Sequence, residues 1–502
     1  MKRVVIIGGG ITGLAAAHRV LERSNESGQQ VNLTLMEAGP RVGGILQTRE
    51  RDGFILESGP DSFISEKPAA LELAKRLGLE SHLIHTNENH RRSFIARQGR
   101  LRPVPQGFQL LAPSEFWPFV LSDIFSWQGK ARMALDLLLP RSRADNADET
   151  LAQFVRRRLG SEALERMAQP MIGGIYTADP EKLSLRATMP RFLEMEREHR
   201  SLIRALRKES NKSRAASNDS PSSVRRGLAA GTSGARYSLF LSFDRGMQSL
   251  SDKLEERISD LNPRIAGDAL NGTPIRLNTT ARSVTLEQPT SDHEEQWKID
   301  TAGGETLLAN ALCLALPAPV SAALLRNVDG QLASELEGIS YASSATLNLA
   351  YERADIAHPL DGFGFVVPFI ENRSLIACTF SSVKFSGRAP EGKVLLRAFI
   401  GGALQPEMLE LSEEELVTRV RGDLDELLGI SARPIFTEFT KWESSMPQYY
   451  MGHLDRVDRI QKRVASLSHF ALAGNAYTGP GIPDCVRSGE QAADDLLGRL
   501  AS

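Results

Sequence analysis

Gly8, Gly9, Gly10, Ile11, Thr12 and Gly13 stand between an apolar run at 2–7 and a helix-like stretch at 14–20. A second apolar run, 31–36, ends in Glu37. Strand, glycine turn, helix, strand and acid follow in the order a dinucleotide site requires. Gly8 allows a tight turn out of the strand, Gly10 lets a pyrophosphate approach the backbone, and Gly13 lets the helix pack close to the sheet. Phosphates then sit at a helix N-terminus, where free N–H groups and the dipole favour an anion. Glu37 can accept hydrogen bonds from a ribose. Its distance from Gly13 exceeds the usual ~20 residues, and the polar stretch 24–30 reads as a long turn that absorbs the difference.

Shortly beyond Glu37 the chain reads Arg41, Val42, Gly43, Gly44, Ile45. This second glycine pair resembles the extended FAD signature of the amine oxidase-like flavoproteins and shifts the choice from nicotinamide to flavin. The far end of the chain repeats the logic. An apolar run at 470–473 enters a turn holding Gly474, Asn475, Gly479, Pro480, Gly481 and Ile482, and a helix is expected at 484–500. A helix N-terminus there stabilises a reduced flavin by ~0.3–1 kcal/mol, or ~2 kcal/mol when buried. Both ends are thus expected to fold onto one cofactor, with the substrate region inserted between them.

The elements that position these turns divide the chain. The expected fold is α/β (α+β): a Rossmann-like FAD-binding domain with an inserted β-sheet substrate domain and a helical subdomain. Residues 1–88 form the first FAD-binding segment, and 89–240 a mainly helical subdomain with a low-complexity loop at 208–236. The second FAD-binding segment covers 241–290, the substrate-binding sheet domain 291–465, and the third FAD-binding segment 466–502. Strands are read at 94–96, 101–105, 346–351, 362–367, 375–380 and 394–400, and a helix at 411–428. The aromatic-rich stretch 114–126 reads as a helix packed on the core in preference to a membrane-surface element.

Length and composition narrow the function classes. The 502 residues suffice for two or three domains. A net charge of −2 gives no reason to expect nucleic acid. The three cysteines, Cys313, Cys378 and Cys485, show neither metal spacing nor a disulfide framework, and no metal is expected. With no signal peptide and no apolar run long enough to span a bilayer, the expected location is the cytoplasm.

The motifs GGGITGLAAA, MEAGPRVGGILQT, ESGPDSF, RQGRLRPVP, ETLAQFVRRRLG, QPMIGGIYTADPEKLS, GRAP, AFIGGA and LAGNAYTGPGIPDCVRSGEQAADDLL span nearly the whole chain. Together they resemble the oxygen-dependent protoporphyrinogen/coproporphyrinogen oxidases of haem synthesis. The resemblance implies a six-electron oxidation of a porphyrinogen in three hydride transfers to FAD, with O2 as acceptor. It implies FAD contacts at Gly8 to Gly13, Glu37, Arg41, Gly44, Ile45, Ala281, Asn475, Pro480, Gly481 and Ile482, with Gly59, Pro60, Asp61 and Ser62 bordering the flavin ring. It implies no catalytic side chain beyond FAD.

The substrate is large, flat and edged with carboxylates, so the site should combine an apolar sandwich with a few cations. The matching positions are Val366, Thr379 and Phe399, walled by Gly174. Thr379 departs from the aliphatic residue of eukaryotic relatives. Many relatives carry a carboxylate-clamping arginine where this chain has Ser93. Arg92 beside it, or Lys67 after the GPDSF turn, is the replacement. The expected partners are the porphyrinogen and O2, with room for peripheral membrane contact and transient contact with the next haem-pathway enzyme. Two other readings stand beside this resemblance: a generic flavin amine oxidase or desaturase, which would share both cofactor ends, and a non-enzymatic binder of prenylated partners that has lost FAD, whose cofactor glycines would be compromised where these are intact.

Overall fold

The computed structural model describes residues 1–28, 31–141, 148–218, 240–262, 274–289 and 295–501. A five-stranded parallel sheet runs in the order Ile275–Arg276, Val31–Met36, Lys2–Ile7, Ala311–Leu314, Phe470–Leu472. Residues 4–7 and the strand Ala311–Leu314 read as continuous apolar runs because both faces are buried, whereas Val31–Met36 alternates with the half-buried Asn32 and Thr34. Val4 and Ile6 face the helix Ile11–Ser27, while Val5 and Ile7 face the opposite core with Trp297.

The first and last helices lie against each other on one face of this sheet. A Cβ at Gly489 would stand 2.2 Å from the Thr12 carbonyl oxygen, so the helix Ile482–Ala501 approaches to backbone contact. Arg19 locks the pair by donating Nε and Nη2 to the two carboxylate oxygens of Asp494 at 2.9 and 3.1 Å. The two chain ends therefore meet in one unit.

A seven-stranded sheet follows the order Phe436–Pro447, Tyr341–Glu352, Lys393–Gly401, Ala377–Phe380, Gly364–Val366, Phe94–Arg97, Arg100–Pro103. One face packs on the helix Glu413–Leu428 through Leu347, Leu349, Leu396, Ala398 and Leu424. The strand Phe436–Pro447 has no counterpart among the sequence expectations. Its TEFTKWESS stretch is polar because it is an edge strand, half-buried for most of its length and exposed at Lys441, Glu443 and Ser444.

Three expectations need correction. The boundary at 290/291 falls inside the nucleotide unit: Ala281–Glu287, Gln296–Thr301 and Thr306–Ala309 form an antiparallel meander that returns to the parallel sheet at Ala311–Leu314. The hairpin Phe94–Arg97/Arg100–Pro103 belongs to the seven-stranded sheet and not to the helical subdomain, because Phe94 and Ile95 pair with Phe365 and Val366. The first stretch of the loop expected from 208 is instead helical, within Leu202–Asn218; 219–236 lies outside the described residues.

The 114–126 stretch is split. Phe119, Ile124 and Phe125 enter the helical core, but Phe116, Trp117, Leu121 and Trp127 are 58%, 69%, 80% and 71% exposed. The Lys130 ammonium joins the two halves of that surface. It donates to the Val120 carbonyl at 2.7 Å and lies 4.6 Å from the Trp127 ring centroid.

The helical subdomain is organised on a buried ion pair. Arg158 and Asp136 are both fully buried. Arg158 donates Nε to Asp136 Oδ1 at 2.7 Å and also serves the carbonyls of Asp136, Pro140 and Arg200. Asp136 in turn accepts from the Ser201 hydroxyl and the Ile203 N–H. Breaking such a pair strands a buried charge and costs about 3–5 kcal/mol. Asp136→Ala should therefore lower the thermal midpoint steeply, whereas Arg156→Ala, which breaks an exposed pair with Glu181, should move it little. Equal midpoints for the two variants in scanning calorimetry would contradict this ranking.

Candidate functional site

Three glycine turns stack at the C-terminal ends of the parallel strands. The Gly43 N–H donates to the Gly9 carbonyl at 2.8 Å, and Gly10 bridges to Gly43. A Cβ at Gly13 would stand 1.8 Å from the Gly8 carbonyl oxygen, and one at Gly59 would stand 1.8 Å from that of Ile45. Both must be glycine for the layers to close. Gly10 is different: a Cβ there would meet nothing within 4 Å, so its surface is open. Gly10 is also the N-cap of the helix Ile11–Ser27 and supplies no side-chain cap to its first N–H groups. This open glycine beside uncapped N–H donors fits a pyrophosphate, and hence the dinucleotide expected from the sequence.

Glu37 accepts from the Gly9 N–H with Oε2 and from the Gly39 N–H with Oε1, each at 2.7 Å. It pins the first glycine turn while each oxygen keeps a lone pair for a ribose hydroxyl. Ala281 follows directly on the segment that clasps it, where the Asn278 and Thr279 N–H groups donate to the carbonyls of Gly39 and Glu37. Arg41 donates to the carbonyls of Val42, Gly44 and Leu46. The structure thus gives Arg41 the work of shaping the Gly43–Gly44 turn, with Ile45 exposed beside it.

Strand register brings the residues expected to line the substrate site onto one face. Val366 pairs with Ala377 and Ala377 with Phe399; Gly364 pairs with Thr379 and Thr379 with Arg397. Directly opposed residues share a face, so Val366, Thr379 and Phe399 project together. A Cβ at Gly174 would lie 3.7 Å from Val366 Cγ1, which sets the helix Gln169–Tyr176 as a wall over that face.

The segment from Glu57 to Ser62 lies on the same face and is held by side chains. Asn348 Nδ2 donates to the Glu57 carbonyl at 3.1 Å. Thr346 Oγ1 and Trp442 Nε1 both donate to Ser58 O at 2.8 Å. Arg397 donates to Gly59 O, and Ser242 Oγ to Asp61 O. Lys384 Nζ reaches both Asp61 carboxylate oxygens at 3.0 and 2.9 Å. Burial alone would raise the Asp61 carboxyl, but Lys384 and Arg397 overcome it and hold the group well below the usual carboxylate range. Glu57 is pushed up to about 7 by burial, against the Met247 N–H, which donates to its carboxylate at 2.7 Å. Ser62 donates to Asp61, and Pro60 lies between these anchors.

The C-terminal turn closes the site. Asn475 carries the carbonyl that accepts from the Tyr449 hydroxyl, and its Nδ2 donates to Ser445 O at 3.4 Å. Pro480, Gly481 and Ile482 lead into the last helix, whose first turn contains the buried Asp484. Lys67 Nζ donates to Asp484 Oδ2 at 2.5 Å and keeps a side chain 46% exposed. Arg487 pairs with the other Asp484 oxygen at 2.9 Å.

Of the two expected cations, Lys67 therefore stands beside the C-terminal turn, whereas Arg92 is committed elsewhere. Its Nη2 pairs with Asp361, its Nε donates to the Asp361 carbonyl, and it lies over the Phe94 ring. Sequence reasoning missed Asp484, Lys384, Arg397 and Glu57. Arg397 carried a signal, being the one charge inside the apolar strand VLLRAFIG.

Among the described residues no cluster of His, Cys, Asp or Glu could hold a metal ion, and no helix is long and apolar enough to cross a membrane. The three cysteines are buried, and burial pushes Cys313 and Cys485 up to about 12. They are poor nucleophiles.

Comparison with known proteins agrees with this geometry. A profile described as flavin containing amine oxidoreductase matches residues 11–497. The chain is 35% identical to the coproporphyrinogen III oxidase of Bacillus subtilis (strain 168), over all of this chain and 99% of that protein. It is 29% identical to the chloroplastic protoporphyrinogen oxidase of Nicotiana tabacum, over 99% of this chain and 86% of that protein. A solved structure from Exiguobacterium sp. 255-15, provisionally named a protoporphyrinogen oxidase, superposes with a TM-score of 0.82 at 30% identity. It covers 100% of this chain and 99% of its own. With cradle, fold and full-length kinship in agreement, the chain belongs to the flavin-containing amine oxidoreductases, in the branch of the coproporphyrinogen III and protoporphyrinogen oxidases.

Proposed function

We propose that this enzyme oxidises coproporphyrinogen III to coproporphyrin III by six electrons, with O2 as the final acceptor. The observation that carries the reading is the single sheet face on which Val366, Thr379, Phe399 and the Gly59 turn meet under the Gly174 wall. When bound, FAD accepts the hydride equivalents. The chain holds it through Gly8 to Gly13, Glu37, the Gly44–Ile45 turn, Ala281 and the Asn475–Ile482 turn. Val366 and Phe399 then orient the flat macrocycle; each two-electron step also releases one proton, which with the hydride equivalent and O2 leaves as hydrogen peroxide.

Coproporphyrinogen III is favoured over protoporphyrinogen IX by kinship: the bacterial relatives named for it are 31–35% identical, against 27–29% for the plant protoporphyrinogen oxidases. Offered both porphyrinogens in air, the purified protein should produce fluorescent porphyrin faster from the tetracarboxylate. Faster oxidation of protoporphyrinogen IX would reverse the assignment, and oxidation of simple amines alone would replace it with a generic amine oxidase.

Lys67 is the cation we assign to a substrate carboxylate. Asp484 occupies one of its three N–H donors, and the rest of the exposed ammonium remains available. A hydrogen bond to a charged group contributes ~1.5–3 kcal/mol; screening at this exposed site reduces it, so Lys67→Ala should raise KM by about tenfold. FAD content should stay at the wild-type level. An unchanged KM removes Lys67 from the site.

The exposed side chains of Phe116, Trp117, Leu121 and Trp127 form the surface we assign to peripheral membrane contact. Indole rings favour the interface between headgroups and acyl chains. The protein should co-sediment with phosphatidylcholine vesicles, and Trp117→Ser with Trp127→Ser should release it. Wild-type protein left entirely in the supernatant contradicts this surface.

A further inference from the structure

The charges that hold the Glu57–Asp61 segment do not balance. Lys384, Arg388 and Arg397 act on Glu57 and Asp61, three cations against two carboxylates. Asp244, the other carboxylate acting on Arg388, is turned to solvent beside His82, with its side chain 45% exposed. Some of the negative side is also lost near neutral pH, since Glu57 is pushed up to about 7.

Arg397 is the least expected member. It is 3% exposed, its guanidinium lies 4.7 Å from the Phe399 ring centroid, and its Nε has no hydrogen-bond partner. Holding the Gly59 carbonyl does not call for a charge, because Thr346, Asn348 and Trp442 hold the neighbouring carbonyls with neutral groups. Burying a guanidinium for that purpose alone is costly. A fixed positive excess in a dry interior instead acts strongly on negative charge that develops nearby.

We propose that Lys384 and Arg397, set against Asp61 behind the Gly59 turn, bias the bound flavin toward its two-electron-reduced, negatively charged form. This rests on the reading that the turn 59–62 borders the flavin ring, and it is independent of which substrate is oxidised. Both cations are positioning residues: they touch the turn and Asp61, and they act on the cofactor through their field.

The test is a potentiometric titration of the flavin in the holoenzyme without any porphyrinogen, comparing wild type with Lys384→Met, Asp61→Asn and Arg397→Lys. Removing a cation should make the reduced form about tenfold less favoured in Lys384→Met, a fall of about 30 mV for a two-electron couple. Removing the carboxylate in Asp61→Asn should raise the potential by a similar amount. Arg397→Lys keeps the charge and should stay near wild type. Opposite shifts of this kind are not produced by simple loosening of the turn. Unchanged potentials in the first two variants, or shifts of the same sign, overturn the proposal. So does loss of FAD from both with the thermal midpoint retained, which would assign the pair to cofactor retention. No porphyrinogen is present, so a failed substrate assignment leaves these shifts intact.

Discussion

A turn in the interior must satisfy its backbone carbonyls without a ladder. The segment from Glu57 to Asp61 meets that demand with side chains drawn from different elements. Asn348, Thr346, Trp442 and Arg397 come from the seven-stranded sheet, and Ser242 from a strand beside the nucleotide unit. The same segment lies at backbone contact beneath Ile45, in the second glycine turn. The placement of the glycine cradle relative to the face carrying Val366, Thr379 and Phe399 thus depends on one short stretch. Each unit contributes some of its anchoring, so neither can shift without leaving a buried carbonyl unpaired. Such a loss costs ~1–3 kcal/mol.

Much of this was legible in the sequence, for identifiable reasons. The parallel strands announced themselves as continuous apolar runs and the cradle as glycines at fixed spacing. The hairpin Phe94–Arg97/Arg100–Pro103 was marked by Gln98 and Gly99, which both take positive φ, 51° and 71°. The edge strand Phe436–Pro447 was not legible, because its polar residues are explained only by the sheet edge it occupies. The boundary near 290 failed because periodicity cannot show that Ala311–Leu314 pairs with Lys2–Ile7, a contact between segments at far-separated positions in the chain. Of the residues expected from motifs, Val366, Thr379 and Phe399 share one sheet face and Arg92 is drawn off elsewhere, while the charges behind that face were found only from the structure. Ion pairing is a property of packing, and no spacing rule links Asp61 to Lys384.

Pairing also decides which cations are available. Arg92, one of the two cations expected from the sequence, is drawn off by Asp361 and by the face of Phe94. Lys67 is tied at one point to a buried carboxylate and extends outward beyond it. The same chemistry inside the helical subdomain serves a different end: Arg158 and Asp136 have no exposed surface and spend every contact on joining helices and loops. Pairing separates Arg92 from Lys67, whose side chains are equally exposed, and burial separates both from Arg158.

The meeting of the two chain ends has a bearing on biosynthesis. The strand Phe470–Leu472 and the helix Ile482–Ala501 complete a sheet and a helix pair begun at Lys2 and Ile11. On the ribosome, the first glycine turn is made long before the helix Ile482–Ala501 that covers it. The seven-stranded sheet and the helical subdomain are made in that interval. Contacts of such long separation close slowly. The flavin cradle is therefore completed late, only after the helix Ile482–Ala501 has been made.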